Sequence, residues 1–290
     1  MIDGSSIVPW IVAFVAGGVV SAGLWVALQG TFAQPLFLRR NFRGVDVPVG
    51  VGVVLCFALI SVWGVWRFAT VAQRSSDVSL GSFPAIGALV AGFALLGLFD
   101  DLAAQGDDRG FRGHLGALAH GRLTTGGAKL LGGGLLALAV TAASPAIGGV
   151  VDWWRIVLGA AVVSLAANTG NLLDRAPARC SKVALACGVV LLATCGAPER
   201  WTLVSVVVVL GASAGLIVFD AREQLMLGDA GSNVLGAVLG WGLVVSTDWV
   251  AQLIVLAVLV ALNVASEKVS FSKVIDDVAV LRAIDRFGRS

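Results

Sequence analysis

Charge is scarce in this chain. Asp, Glu, Lys and Arg make up 13% of its 290 residues, against 58% hydrophobic residues and a mean hydropathy of +0.92. A soluble domain carries about a quarter charged residues, so a water-soluble globular fold is excluded and an integral membrane protein is expected. Cysteine is also sparse. Cys56, Cys187 and Cys195 lie in apolar stretches and Cys180 in a short loop. No Cys-x-x-Cys or Cys/His spacing is present, which argues against zinc and favours small buried hydrophobes over disulfides. The N-terminus has no basic stretch before its long apolar run, so a retained first span is expected rather than a cleaved signal. No internal repeat or low-complexity linker divides the chain, and no segment is left for a separate soluble domain.

What is present is a series of apolar runs long enough to cross a bilayer as helices. Nine spans are expected, at about 7–28, 48–69, 83–101, 127–145, 151–169, 183–197, 201–219, 233–247 and 249–266. The sixth and eighth are short and glycine-rich. The 37 glycines suit close helix packing in lipid. Sixteen of the 20 Lys and Arg residues fall on one side of this arrangement, which leaves Arg67, Arg74, Arg155 and Arg200 on the other. The positive-inside rule makes the rich side cytoplasmic. The fold class expected is therefore all-α: a polytopic transmembrane helix bundle with its N-terminus outside and its C-terminus cytoplasmic. Trp63, Trp66, Trp153, Trp154, Trp201 and Trp249 fall near the outer span ends, as an interfacial belt would. Residues 1–266 form the transmembrane domain and 267–290 a cytoplasmic tail. The tail intersperses Val274, Ile275, Val278, Val280, Leu281 and Ile284 with Lys, Asp and Arg. That pattern suits an amphipathic helix on the membrane surface or, equally, a helix docked on the protein's own loops.

The few acids are not scattered. Asp100-Asp101, Asp174 and Asp229 each stand at the end of an apolar stretch, and all come out on the cytoplasmic side. Adjacent carboxylates at a helix C-terminus face the negative end of the macrodipole and repel each other, so something cationic must offset them. Neighbouring helical residues point about 100° apart, so one can face a metal and the other a substrate. The segment Gly110–Lys129 is rich in glycine, hydroxyl and basic groups and ends where a span begins. It reads as a phosphate cradle or as a generic basic loop. Arg112, His114 and Lys129 are its candidate substrate contacts. Asn171 and Asp174, three apart, suit hydrogen bonding to a sugar or base, or simple helix termination. In Leu227-Gly228-Asp229-Ala230-Gly231-Ser232-Asn233, Asp229 either caps a helix or completes a carboxylate cluster with Asp100 and Asp101. Oxygen-only ligands point to Mg²⁺ or Mn²⁺ rather than zinc.

The order of these segments resembles the polyprenyl-phosphate N-acetylhexosamine-1-phosphate transferase superfamily, over roughly Arg39 to Ser290. That family includes the bacterial phospho-N-acetylmuramoyl-pentapeptide transferase and the undecaprenyl-phosphate GlcNAc-1-phosphate transferases. The resemblance implies a Mg²⁺-dependent enzyme of cell-envelope glycan biosynthesis in the plasma membrane, with its active site facing the cytoplasm. A polyprenyl phosphate lipid would attack the β-phosphate of a UDP-sugar and release UMP. Asp100 and Asp101 match the family's paired aspartates, which one acts as base being left open, and Asp229 matches its Mg²⁺-site aspartate. The metal set implied is Asp101 with Asp229; Lys129 matches the phosphate-holding basic residue, and Asn171 and Asp174 the start of an NxxDGxDG segment. Pro177 stands where that segment has its second aspartate, and Ser266–Lys273 stands where the family carries a histidine-rich motif. No nucleic-acid partner is expected, and a homodimer is compatible. A catalytically inactive relative that binds lipid phosphate or a partner is one alternative. A transporter is another, although it would more naturally carry charge at mid-membrane.

Overall fold

A computed structural model describes residues 7–41, 43–72, 83–103, 124–144, 152–196 and 202–289. Among them are eleven helices and one two-stranded hairpin. In chain order they are α1 (Val8–Phe32), β1 (Leu38–Arg40), β2 (Asp46–Pro48), α2 (Val53–Ala72), α3 (Phe83–Ala103), α4 (Thr125–Ala143), α5 (Trp153–Leu173), α6 (Arg179–Thr194), α7 (Val204–Ala221), α8 (Gly228–Ser246), α9 (Trp249–Ser266), α10 (Phe271–Asp277) and α11 (Ala279–Arg286).

Local chemistry accounts for several of the helix starts. Pro9 sits in the first turn of α1, where a missing N–H costs nothing. Thr124 caps α4 by accepting the Gly127 N–H at 3.0 Å, and Asp248 caps α9 by accepting that of Ala251 at 2.9 Å. α8 starts at Leu227-Gly228 with no side-chain cap of its own, a vacancy filled from elsewhere in the fold.

Seven helices are long and apolar enough to cross a membrane: α1, α2, α3, α4, α5, α7 and α9. The expected sixth and eighth spans are α6, of only 16 residues, and α8, of 19, and neither is among the seven. α8 packs against α3, α5, α6 and α7 and buries most of its length, including Trp241, Leu235 and Val238. A helix surrounded by other helices needs small residues for close approach more than it needs apolar ones for lipid. At the periphery the balance reverses. Only 6% of the apolar window of α9 is buried, and Leu253, Ile254, Val258 and Val264 face outward. α1 crosses α7 at very short range: a Cβ on Gly211 would lie 2.0 Å from the Phe14 carbonyl oxygen. Ser21 Oγ donates to the Ala212 carbonyl at 2.8 Å across the same crossing.

The helix directions gather one end of the bundle. α5 and α9 run parallel, with Asn168 Nδ2 donating to Asn263 Oδ1 at 2.5 Å near their C-termini. α8 runs antiparallel to α3 and α5. The C-terminal ends of α3 and α5 therefore meet the N-terminal end of α8. The hairpin lies at this end too. It pairs Leu38 with Pro48 and Arg40 with Asp46, and the end of β2 and the turn after it are pinned to the α7–α8 turn. There Pro48 accepts the Met226 N–H at 2.7 Å, and Leu227 accepts the Gly52 N–H at 2.9 Å. Trp154 and Trp249 meet edge-to-face, 5.8 Å between ring centroids, at the opposite end of α5 and α9.

Candidate active site

Five of the residues singled out above converge at the gathered end. Lys129, the fifth residue of α4, reaches two carboxylates from different helices. Its Nζ lies 3.3 Å from Asp100 Oδ2 at the end of α3 and also pairs with Asp229 Oδ2 at the start of α8. All three side chains are largely withdrawn from water, with 12% of Lys129, 16% of Asp100 and 20% of Asp229 exposed. Their attraction is screened less than at a solvated surface. Asn171, from the last turn of α5, donates its Nδ2 to the same Asp229 Oδ2 at 3.1 Å. One lysine thus meets the requirement for a cation beside the Asp100-Asp101 pair. A second contribution comes from Arg39 of β1, which donates to the Leu102 carbonyl at 3.1 Å and satisfies the negative C-terminal end of α3.

Asp101 is employed differently from its neighbour. Its Oδ1 accepts the Asp229 N–H at 2.9 Å and its Oδ2 the Ala230 N–H at 3.1 Å. These are free amides at the start of α8, so Asp101 is the missing cap, supplied by another helix. The sequence reading paired Asp101 with Asp229 as metal ligands; the carboxylates that share one cation here are Asp100 and Asp229. The close approach depends on two glycines. A Cβ on Gly97 would lie 2.3 Å from the Asp229 carbonyl oxygen. Gly228 has φ +67° and leaves no room for a side chain, since its Cβ would lie 2.5 Å from Asp101 Oδ2.

Asp174 follows α5 as its C-cap residue. Burial pushes its carboxyl well above the usual range, and the nearby charges of Asp220, Asp229 and Asp101 push the same way, opposed by a hydrogen bond from the Gly228 N–H. Asp220, at the end of α7, is 4% exposed, and its Oδ2 meets no hydrogen-bond partner among the described residues. Sequence reasoning passed over it. It has the same signature as the others, a lone acid at the end of an apolar helix. Arg112 and His114 lie outside the described residues.

The rim next to Asp174 is closed by the tail. Arg179, at the start of α6, forms a forked pair with Asp285 of α11: Nε to Oδ1 at 2.8 Å and Nη2 to Oδ2 at 2.9 Å. Its Nη1 reaches Ser272 Oγ at 2.8 Å. Arg289 adds a contact to Asp285 at 2.5 Å and donates to the Pro177 carbonyl at 3.0 Å. Lys182 Nζ donates to the carbonyls of Ile284, Asp285 and Phe287, at 3.3, 2.8 and 2.6 Å, a cation at the end of α11. Burial of Asp285 works against its charge, but the hydrogen bonds and charge of Arg179, aided by Arg289, hold its carboxyl below the usual range. Of the two readings of the tail, docking on the protein's own loops is therefore observed. An apolar groove of about 200 Å³ starts at Leu173 and Thr169 and runs between α5, α6, α8 and α9 to Leu243 and Val255.

Among the described residues, no group of three or more His, Cys, Asp or Glu side chains is arranged to hold a metal ion; the oxygen donors nearest that role are the Asp100–Asp229 pair. No protein-family model matches the chain, and no curated protein matches it.

Proposed function

We propose that this chain is a membrane-embedded glycosyl-1-phosphate transferase that uses a polyprenyl phosphate as acceptor and a UDP-sugar as donor. The observation that carries the reading is the single ammonium of Lys129 between two carboxylates from α3 and α8, with Asn171 on the same carboxylate oxygen. Acids and a base held together at the bundle end, beside an apolar groove, suit a reaction between a lipid phosphate and a water-soluble diphosphate. In that reaction an oxygen of the lipid phosphate bonds to the sugar-bearing phosphorus. The phosphoanhydride bond breaks, and UMP leaves with the bonding electrons.

The donor chemistry of the carboxylate pair is that of a hard divalent cation's ligands. Asp100 and Asp229 supply oxygen donors only, and Lys129 already balances them where a cation is called for. Asp100 and Asp229 would hold magnesium or manganese, which would supply charge screening for the diphosphate and for the departing UMP. The protein's own groups do the rest. Lys129, held at the site by Asp100 and Asp229, supplies the positive charge that pairs with a substrate phosphate. Asn171 orients Asp229, and Asp101 fixes the start of α8 so that Asp229 stays in place. Asp174 and Asp220 line the side where a donor's hydroxyl and amide groups would be recognised, and the groove from Leu173 to Leu243 would take the first units of a prenyl chain. In this reading α6 and α8 complete nine membrane-inserted helices. The basic end lies in the cytoplasm with the N-terminus outside, and the membrane is the plasma membrane.

The test is UMP release by purified protein in detergent, with undecaprenyl phosphate, Mg²⁺ and a panel of UDP-sugars, beside Asp229→Asn. Release that the substitution abolishes supports the enzyme and names its donor. Absence of release with every donor, from protein that is folded, removes the reading.

A further inference from the structure

The tail has two faces, and the fold uses only one of them. Asp285 is buried against Arg179, while Val280, Leu281, Ile284 and Phe287 of the same turns are 68%, 43%, 59% and 79% exposed. Residues 280, 284 and 287 follow one another at helical spacing, on the side away from Asp285. Outside the membrane-spanning helices, an exposed apolar stripe of this size marks a surface that something covers. The stripe does not stand alone. Lys268, Lys273, Arg282 and Arg286 accompany it along the tail, interspersed with Glu267, Asp276 and Asp277. Arg286 pairs with Asp276 at 3.5 Å and Arg282 donates to the Asp276 carbonyl at 2.7 Å, so the polar side of the segment is mixed in charge with a small basic excess. Its position narrows the choice of partner further. Four residues separate the last residue of α9, Ser266, from the first of α10, Phe271. The tail therefore leaves the bundle at the level where α9 leaves the bilayer.

We propose that the tail is a membrane-surface strap. The apolar stripe of α11 lies in the headgroup region of the bilayer that holds the bundle, with its basic residues against anionic headgroups, while Asp285 clasps the rim of the site. The bilayer is chosen over a protein partner for two reasons. Only the short helix α10 stands between α9 and the stripe, which keeps it near the end of α9, and apolar residues interspersed with Lys and Arg are the pattern that interfacial helices use. This inference requires the helices to be in a membrane and does not depend on the transferase reading.

Hydrogen exchange on the full-length protein in nanodiscs tests it, with phosphatidylglycerol or phosphatidylcholine as the lipid. Amides of residues 279–287 are expected to exchange about tenfold or more slowly in phosphatidylglycerol than in phosphatidylcholine, a contrast that added salt erodes. The triple variant Val280→Ser, Ile284→Ser, Phe287→Ser is expected to abolish the slowing while the amides of α9 stay protected, which separates loss of lipid contact from loss of fold. Equal exchange in the two lipids, or slowing that survives the triple substitution, overturns the proposal. Slowing that instead rises with protein concentration in lipid-free detergent assigns the stripe to a second copy of the chain and also overturns it. A failed UMP assay leaves this result untouched, and the two readings stand or fall separately.

Discussion

Asp101 caps the helix whose first turn carries Asp229: its two carboxylate oxygens accept the N–H groups of Asp229 and Ala230 at 2.9 and 3.1 Å. The sequence segments involved lie more than a hundred residues apart, and α8 has no side-chain cap of its own. Asp101→Ala is therefore expected to cost about 1–2 kcal/mol of stability, the upper part of the range for lost caps. Asp101→Asn keeps an acceptor oxygen and is expected to cost clearly less, yet still to lower UMP release. Thermal unfolding in detergent, followed by tryptophan fluorescence, checks the order. Equal melting temperatures for both variants and the parent would show that the cap carries no stability.

The Lys129–Asp229 contact leads to a different outcome. Asp229 projects from a helix that is otherwise tightly packed, and Asn is nearly the same shape. Asp229→Asn is expected to stay monodisperse in size-exclusion chromatography and to lose transfer by about a hundredfold or more, the scale seen when one preorganised electrostatic partner is removed. Lys129→Ala is expected to lose transfer by a similar factor. It also leaves Asp100 and Asp229 facing each other without a cation, so it should melt earlier than Asp229→Asn. Undiminished UMP release from Asp229→Asn would remove the metal assignment.

Asp174 offers a case where stability and activity pull apart. Its carboxyl is raised well above the ordinary 3.8 by burial and by neighbouring acids. A group raised in the fold contributes stability that is fully present below its unfolded value and is lost as pH rises through the folded value. At neutral pH the carboxyl of Asp174 thus works against the fold relative to acid pH, and Asp174→Asn, which resembles the protonated form, removes that cost. The variant is expected to melt about 2 °C or more above the parent at pH 7, with the gap shrinking as pH falls towards 4, and to transfer less. A parent that melts higher than the variant at pH 7 would show instead that the carboxylate is paired in the fold.

These relationships differ in how far they can be read from the chain. Long apolar runs are local, and each of the seven helices long and apolar enough to cross a membrane lies where hydropathy alone puts one. The cluster of Asp100, Asp101, Lys129, Asn171 and Asp229 was also foreshadowed, because charge at the end of an apolar helix is rare enough to stand out. Three things were not legible. The division of labour between adjacent Asp100 and Asp101 depends on which carboxylate faces the α8 amides, and that is set by the close approach at Gly97. The central packing of α8 against α3, α5, α6 and α7 is not signalled by its hydropathy, because a central helix trades hydropathy for glycine and serine. The Arg179–Asp285 clasp joins residues 106 apart, and nothing in either local sequence selects the partner.

That clasp should respond to acid in a defined direction. The carboxyl of Asp285 is held below the ordinary 3.8, burial being outweighed by Arg179 and Arg289. A depressed carboxyl contributes stability that is present above its unfolded value and is lost as pH falls through the folded value. The tail is therefore expected to stay docked across neutral and mildly acid pH and to release only below about pH 4, where protonation leaves Arg179 without its counter-charge. Asp285→Asn should reproduce the released state at every pH. Removing one member of a buried ion pair leaves the other charge uncompensated, so amides of α11 should exchange about tenfold or more faster at pH 7, measured in detergent where lipid contact does not contribute. The double variant Arg179→Met, Asp285→Leu replaces both charges with apolar groups of similar size and is expected to restore much of the protection. If Asp285→Asn leaves exchange in α11 unchanged at pH 7, the tail is held by its other contacts, at Lys182 and Arg289, rather than by the buried pair.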